Sequence, residues 1–220
     1  MTTGRLSDES PDYAKLRDEL QQAEVALRDQ RERVAELRRR LPEGPPFPDL
    51  ELEEVRDGQR VRVRLSELFD DPAKPLVLMH FMFGKAQEAP CPMCTAWADG
   101  YDGVVPHLRQ RVNFGVVVAG DPAAIEAYGR GRGWRHVRLV SAADSDLKSR
   151  LGFEDGDGRQ LPGVSVFQRG ADGGLRHFYS QCALLGADGF RGMDLLSPIW
   201  HFLDLTPEGR GDYFPAKQYD

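Results

Sequence analysis

The sequence predicts an α/β fold, in which helices flank a mixed central sheet, preceded by a long N-terminal helix. Two runs, 76–83 and 114–118, are too continuously apolar for edge strands and indicate strands at the centre of the sheet. Helical stretches separate successive strands, and crossovers of this kind imply parallel pairing. A polar segment, 11–41, precedes these elements and repeats its apolar residues at helical spacing.

The segment 11–41 is predicted to form one amphipathic helix after a disordered stretch, 1–10. Its apolar positions alternate three- and four-residue steps, as a heptad seam does. The seam consists of Tyr13, Leu16, Leu20, Ala23, Leu27, Gln30, Val34, Leu37 and Leu41. Such a seam favours either a brace along the protein's own domain or a coiled-coil partner. A helix of ~30 residues is about 45 Å long and outruns the flank of a compact domain, so we expect a homodimer through this helix.

A proline-rich linker, 42–50, is predicted to end the helix, because proline interrupts helical hydrogen bonding. A folded α/β domain is expected over 51–210, and a C-terminal tail over 211–220. The domain begins with a predicted hairpin whose arms flank Asp57-Gly58, a strong turn dipeptide. In the second arm apolar residues alternate with arginines, which predicts one buried face and one solvated face.

The rest of the domain alternates strands with helices and closes with a hairpin. After the first central strand we expect a helix over 91–111 that is broken or kinked near 99–103 and Pro106. The next expected elements are the strand 114–118, a helix from Asp121-Pro122 to Tyr128, the strand 137–140 and a helix over 144–151. The domain is expected to end with hairpin strands over 164–167 and 175–179 and a helical turn over 198–205. The order β-α-β-α-β-α-β-β-α is that of an elaborated thioredoxin-like fold.

The most informative motif is Cys91-Pro92-Met93-Cys94, which lies between a strand and a helix. Two thiols at this spacing, at the start of a helix, are typical of a redox dithiol. The unpaired N–H groups and the positive dipole end of the helix favour a thiolate, so Cys91 is the expected attacking nucleophile and Cys94 the resolving thiol. Pro92 suits the first helical turn. We expect Pro92, Trp97 and Pro162 to shape the surface that a substrate meets.

Other interpretations of the two cysteines stay open. The pair could belong to a structural zinc site, although such a site needs four ligands. It could also be an inert pair of buried thiols. A metal-binding protein or metalloenzyme would use Cys91, Cys94 and a histidine, of which His80 is the main candidate, to bind copper or zinc. His80 could equally be a hydrogen-bonded core histidine or a proton acceptor near the dithiol. No resident cofactor is expected for the redox function.

Leu161-Pro162-Gly163 precedes the closing hairpin, where thioredoxin-like folds carry a cis-proline facing the dithiol. A cis bond costs little before proline and would leave the preceding backbone free to pair with a substrate. We therefore expect a cis bond before Pro162. The third cysteine, Cys182, is expected to be a bystander, with a remote resolving thiol as the alternative.

Composition narrows the functional class and the compartment. The net charge of −6 argues against nucleic-acid binding, which needs clustered excess Lys and Arg. No apolar segment approaches the ~20 residues needed to span a bilayer, and the N-terminus has no signal-peptide core. We therefore expect a cytoplasmic protein without a membrane or nucleic-acid partner, which acts on a thiol or disulfide of a protein or small molecule.

Several sequence blocks together resemble a known bacterial family. They are Met79-His80-Phe81-Met82-Phe83-Gly84, Cys91-Pro92-Met93-Cys94 with Trp97-Ala98-Asp99, Val105-Pro106-His107-Leu108, Gly133-Trp134, 161–167 and 203–210. The chain is similar to the thioredoxin-like domains labelled predicted dithiol-disulfide oxidoreductases, formerly a domain of unknown function. The resemblance implies a thioredoxin-like fold and a redox dithiol, and it assigns no substrate. A peroxidase would want a threonine where Glu88 stands, which counts against specialisation for peroxide.

Overall fold

The computed structural model describes Gly4, residues 8–186 and residues 191–219. The chain divides into two units, 1–42 and 43–220. In the first unit the predicted helix is present as α1 (Pro11–Arg39), and the hydroxyl oxygen of Ser10 accepts the N–H of Tyr13 at 3.2 Å as its N-cap. Most of the stretch predicted to be disordered, 1–10, lies outside the described residues.

The second unit is built on one mixed sheet of seven strands, in the order β2-β1-β5-β4-β3-β6-β7. The strands are β1 (Glu51–Arg56), β2 (Gln59–Arg64), β3 (Leu76–His80), β4 (Asn113–Val118), β5 (Arg138–Ser141), β6 (Gly163–Arg169) and β7 (Leu175–Cys182). The helices between and after them are α2 (Pro92–Leu108), α3 (Pro122–Arg132), α4 (Leu147–Arg150) and α5 (Pro198–Leu203).

The arrangement around β3 confirms the predicted thioredoxin-like fold. β3 pairs in parallel with β4 through the crossover helix α2, and β4 pairs in parallel with β5 through α3. On its other side β3 pairs antiparallel with β6, which continues into the antiparallel hairpin β6–β7. The loop that leaves β3 therefore starts α2 at the centre of the sheet, where the dithiol lies.

The central strands β3 and β4 bury both of their faces, as their continuous apolar runs predict. Successive residues of β3 alternate between two clusters: Met79 packs with Cys94 and Trp97 on one face, and Leu78 packs with Leu65 and Leu147 on the other. The dithiol helix thus belongs to one core and the short helix α4 to the other.

The N-terminal hairpin of this unit forms as predicted. β1 and β2 pair antiparallel across Asp57 and Gly58, whose φ angles are 51° and 78°. A two-residue hairpin turn needs positive φ at both central positions, which an aspartate tolerates and a glycine adopts freely.

α2 is one helix, Pro92–Leu108, so of the break or kink predicted near 99–103 the break is wrong and the kink stays a prediction. Its two glycines each cost about 1 kcal/mol relative to alanine, and Pro106 removes one helical hydrogen bond. Burial of Trp97 and Val105 against the sheet offsets these costs, since one large apolar side chain contributes about 1.5–3 kcal/mol.

The predicted cis bond before Pro162 is also wrong, since no peptide bond among the described residues is cis. Two backbone groups next to this bond are paired within the domain. The N–H of Leu161 donates to the carbonyl of Phe153 at 2.9 Å, and the carbonyl of Pro162 accepts the N–H of Ala183 at 2.9 Å. The trans isomer, which is favoured by about 0.5–1 kcal/mol before proline, satisfies these contacts.

Within the part of the chain that the structure describes, every helix is too short or too polar to cross a lipid bilayer.

Candidate active site

The two cysteines of the motif lie at the N-terminus of α2 in different surroundings. Cys91 is the N-cap residue and is half-buried, and its N–H donates to the carbonyl of Met82 at 3.2 Å. Pro92 begins the helix, where the missing N–H costs nothing. Cys94 lies in the first turn, fully buried, and accepts the N–H of Met82 at 3.4 Å. Cys91, Cys94 and Cys182 are all free thiols.

Thr95 stabilises the first turn of α2 by hydrogen bonds. Its N–H and its hydroxyl both donate to the carbonyl of Cys91, at 3.0 Å and 2.9 Å. The same hydroxyl lies 3.0 Å from the hydroxyl of Tyr128 on α3. These bonds hold the Cys91 backbone in place relative to the sheet.

The surroundings separate the acidities of the two thiols. The pKa of Cys91 is lowered to about 6, chiefly because the Cys94 thiol hydrogen-bonds to the Cys91 sulfur. Burial opposes this shift. The pKa is lowered further by the N–H groups of Cys94 and Met93, although neither makes a complete capping bond, and by the charge of Lys217. The pKa of Cys94 is raised well above its ordinary value by burial and by the neighbouring Cys91. Cys91 is thus the thiol that ionises first.

A buried lysine lies beneath the dithiol. Lys148 on α4 is 0% exposed, and its ammonium donates to the carbonyl of Phe81 at 3.0 Å. That carbonyl and the N–H of Met82 belong to the same peptide group, so a single peptide unit separates the ammonium from the Cys94 sulfur. Burial lowers the pKa of Lys148 to about 8, while nearby Cys94 and Glu154 act to raise it. Spacing along the chain gives no signal for this residue, because α4 is remote from the motif in sequence.

His80 is a hydrogen-bonded core histidine in the structure. Its Nε2 lies 2.8 Å from the hydroxyl of Ser165, which lies 2.7 Å from the hydroxyl of Ser180, which in turn lies 2.7 Å from Nε2 of His177. The His80 ring stacks on Phe153 with 3.8 Å between centroids. Burial, followed by nearby positive charge, lowers the pKa of His80 well below its ordinary value, so the imidazole is neutral.

The residues considered for a metal do not form a ligand set. His80 is bonded through Nε2 to Ser165, and no three His, Cys, Asp or Glu side chains among the described residues come together as a metal site. Soft thiolates need at least one more ligand close to Cys91 and Cys94 to hold copper or zinc. Among the described residues no such third side chain is grouped with the two cysteines, and the copper or zinc alternative stays a prediction.

A cavity of about 400 Å³ opens beside Cys91. Its lining combines residues around the dithiol with a C-terminal segment: Met82, Cys91, Met93, Trp97, Pro162 and Ala183 on one side, and Arg191, Asp194, Trp200, Arg210, Gly211, Tyr213 and Phe214 on the other. Two of the residues predicted to shape the substrate surface, Trp97 and Pro162, line this cavity; Pro92 does not.

The C-terminal wall of the cavity is held by ion pairs and ring contacts. Arg210 bonds to Asp194 and to Asp204, each at 2.7 Å, and its guanidinium lies over the Trp200 ring at 5.4 Å. The rings of Trp200 and Tyr213 meet edge to face with 6.0 Å between centroids. Part of the predicted tail, 211–220, is therefore a wall of the site, which sequence reasoning missed because nothing in the local pattern links it to the dithiol.

Cys182 ends β7 on the other side of Pro162. Its thiol lies 3.6 Å from the carbonyl of Pro162, and its sulfur accepts the N–H of Leu184 at 3.4 Å. These contacts are local to the β6–β7 hairpin, and the bystander role predicted for Cys182 stays a prediction.

Comparison with known proteins identifies a family. No curated protein matches the chain. Solved structures that resemble it include Prx3 of Vibrio vulnificus in its reduced form with hydrogen peroxide, 16% identical over 71% of this chain and 99% of that one, with a TM-score of 0.48. AhpC of Enterococcus faecalis is 14% identical over 79% of this chain and 98% of that one, with a TM-score of 0.49. A family model matches residues 3–219, and the chain therefore belongs to the bacterial proteins of unknown function designated DUF899.

Proposed function

We propose that the protein is a thiol-disulfide oxidoreductase that works with Cys91 and Cys94. The observation that carries the proposal is the unequal acidity of the two thiols at the start of α2. Cys91 has a pKa of about 6 and opens into a cavity, whereas the pKa of buried Cys94 is raised. A thiolate that a substrate can reach, beside a buried thiol, is the arrangement that two-step disulfide exchange requires.

The first step is attack by the Cys91 thiolate on one sulfur of a substrate disulfide. The new bond joins Cys91 to that sulfur, and the other half of the substrate leaves as a thiolate. A pKa near ambient pH suits this step, because most of the thiol is ionised while the sulfur stays nucleophilic.

The second step is attack by Cys94 on the Cys91 sulfur. Cys94 loses its proton, forms the Cys91–Cys94 disulfide, and expels the second half of the substrate as a thiolate, which takes up a proton. Two electrons have then passed from the dithiol to the substrate, and the reverse sequence oxidises a substrate dithiol. Lys148 would assist as a positioning residue, since its charge lies one peptide group from Cys94 and favours the Cys94 thiolate.

The test is reduction of a model disulfide or of insulin by the reduced protein. We expect Cys91→Ser to abolish activity, and Cys94→Ser to trap a mixed disulfide on Cys91. Cys182→Ser is the matched control and should keep the wild-type rate. Unchanged activity in Cys91→Ser would exclude this mechanism.

A further inference from the structure

We propose that the cavity beside Cys91 binds a small, uncharged, apolar disulfide in preference to a protein disulfide. This inference rests on the proposed function and adds the class of substrate. Three features carry it: the size and lining of the cavity, the pairing of its charges, and the pairing of the backbone next to Cys91.

The cavity has the dimensions of a small-molecule site. Its volume of about 400 Å³ falls within the ~300–1,000 Å³ that is usual for ligand pockets. The Cys91 sulfur forms part of one wall, and Trp200, Tyr213 and Phe214 supply aromatic surface on the C-terminal side. A ligand that fills this space therefore contacts apolar groups while it presents a sulfur to Cys91.

The charged residues in the lining are each bonded to a partner of opposite charge. Arg191 and Arg210 both bond to Asp194 at 2.7 Å, and Arg210 also bonds at 2.7 Å to Asp204, which lies outside the lining. A charged substrate would have to compete with these pairs. An uncharged ligand avoids that competition and the cost of losing its own hydration.

The backbone beside Cys91 leaves little for a protein substrate to pair with. An extended peptide binds along a strand edge by hydrogen bonds to free N–H and carbonyl groups. Here the N–H of Leu161 and the carbonyl of Pro162 are bonded within the domain, and the carbonyl of Ala183 accepts the N–H of Gly192 at 2.9 Å. These three backbone groups are therefore not free to bind an extended chain.

The reaction balances without a further reagent. The reduced dithiol and one disulfide RS–SR give the Cys91–Cys94 disulfide and two RSH, so the two electrons that leave the protein thiols cleave the substrate bond. In a single turnover the reduced protein supplies both electrons, so the assay contains no other reductant.

The experiment compares three disulfides in single turnover with the fully reduced protein. 4,4′-Dithiodipyridine is uncharged and aromatic, 5,5′-dithiobis(2-nitrobenzoate) is aromatic and doubly negative, and insulin is a protein. Each rate constant is divided by that of free 2-mercaptoethanol with the same disulfide, which removes intrinsic reactivity. We expect the normalised value for the dipyridine to exceed the other two at least tenfold.

A pair of phenylalanine variants tests the cavity itself. Phe214 lines the cavity and Phe202 does not, and both side chains are largely exposed. Phe214→Ala should lower the normalised rate with the dipyridine about tenfold, as expected for a lost aromatic contact, and leave alkylation of Cys91 by iodoacetamide unchanged. Phe202→Ala should change neither rate.

The outcomes separate this inference from the function on which it rests. Equal normalised rates for the three disulfides, or an unchanged rate in Phe214→Ala, would overturn the inference while Cys91–Cys94 disulfide formation still supported the oxidoreductase. Failure of every disulfide to produce a Cys91–Cys94 bridge, measured by mass spectrometry, would overturn both.

Discussion

Cys91 and Cys94 carry the same thiol group, and the difference between their pKa values comes from their surroundings. The hydrogen bond between the sulfurs stabilises a thiolate on Cys91 and at the same time keeps the proton on Cys94. Burial raises the pKa of Cys94, which is enclosed in the core, whereas at Cys91 burial opposes the lowering without reversing it. The same arrangement therefore makes Cys91 the nucleophile and keeps Cys94 protonated for the second step.

The reactivity of Cys91 should follow the ionisation of a thiol with a pKa of about 6. Because the thiolate is the reactive form, the alkylation rate should be constant above about pH 7 and fall about tenfold per pH unit below the pKa. Iodoacetamide labelling of Cys91 across pH, with Cys182→Ser to simplify the mass spectra, measures this profile. A midpoint near the ordinary thiol value would contradict the electrostatic account of the site.

Lys148→Met should slow the second step and leave the first unchanged. The ammonium acts on Cys94 through the Phe81–Met82 peptide group, so its loss should raise the pKa of Cys94 and slow release of the second thiolate about tenfold. Stopped-flow release of the two thiolate equivalents separates the steps.

Lys148→Gln distinguishes charge from hydrogen bonding at this position. Glutamine can still donate to the Phe81 carbonyl but carries no charge, so it should be as slow as Lys148→Met. A glutamine variant with wild-type kinetics would show that the bond to the carbonyl is sufficient. The Cys91 alkylation profile should be the same in all three proteins.

At the level of elements, α2 is positioned by carboxylates that bond to the loop after α3. One oxygen of Asp102 accepts the N–H groups of Arg135, His136 and Val137 at 2.9, 2.6 and 3.0 Å. These bonds lower the pKa of Asp102 against an opposing effect of burial. A helix so anchored keeps its N-terminus, and with it Cys91, fixed on the sheet.

Asp102→Ala should therefore destabilise the folded domain. Three backbone donors lose a charged acceptor, for which we expect a decrease of about 2 kcal/mol in the free energy of unfolding. Urea denaturation followed by circular dichroism measures it. Asp144→Ala, at a largely exposed aspartate with one long ion pair, is the matched control and should change stability by less than about 0.5 kcal/mol. Equal effects in the two variants would contradict the anchoring role of Asp102.

The sequence predicts elements where the signal is local. Asp57-Gly58 places the first hairpin, and continuous apolar runs place β3 and β4, because turn chemistry and strand burial are written in neighbouring residues. α2 shows the limit of this approach: Pro106 and two glycines predict a break, and burial of Trp97 against the sheet overrides it. Tertiary contacts decide whether the helix breaks or continues, and a short stretch of sequence does not reveal those contacts.

For the whole molecule, the seam of α1 leads to a prediction about assembly. Leu20 and Leu27 lie on the apolar seam, and an apolar stripe of this length is stable when a second copy covers it. Replacing both with glutamate should convert a dimer into a folded monomer with unchanged dithiol chemistry. Val25→Glu, on the same helix outside the seam, should stay dimeric. Light scattering that finds a monomer for the unmodified protein would contradict this proposal.

The site as a whole is only partly predictable from sequence. The spacing of Cys91 and Cys94 after an apolar strand predicts the dithiol, since that motif has a local geometry. Lys148 and the wall formed by Tyr213 and Phe214 reach the dithiol through the fold of the entire domain, so no spacing indicates them. The resemblance to thioredoxin-like folds predicts a cis bond before Pro162, and no peptide bond among the described residues is cis.

Mass-spectrometric mapping of disulfides decides whether Cys91 and Cys94 form one reversible redox couple, when the protein is equilibrated across a series of dithiothreitol redox buffers. We expect a single two-electron transition in which the Cys91–Cys94 bridge appears, with the same midpoint in Cys182→Ser. A bridge that includes Cys182, or thiols that stay reduced across the series, would show that the two cysteines do not form this couple.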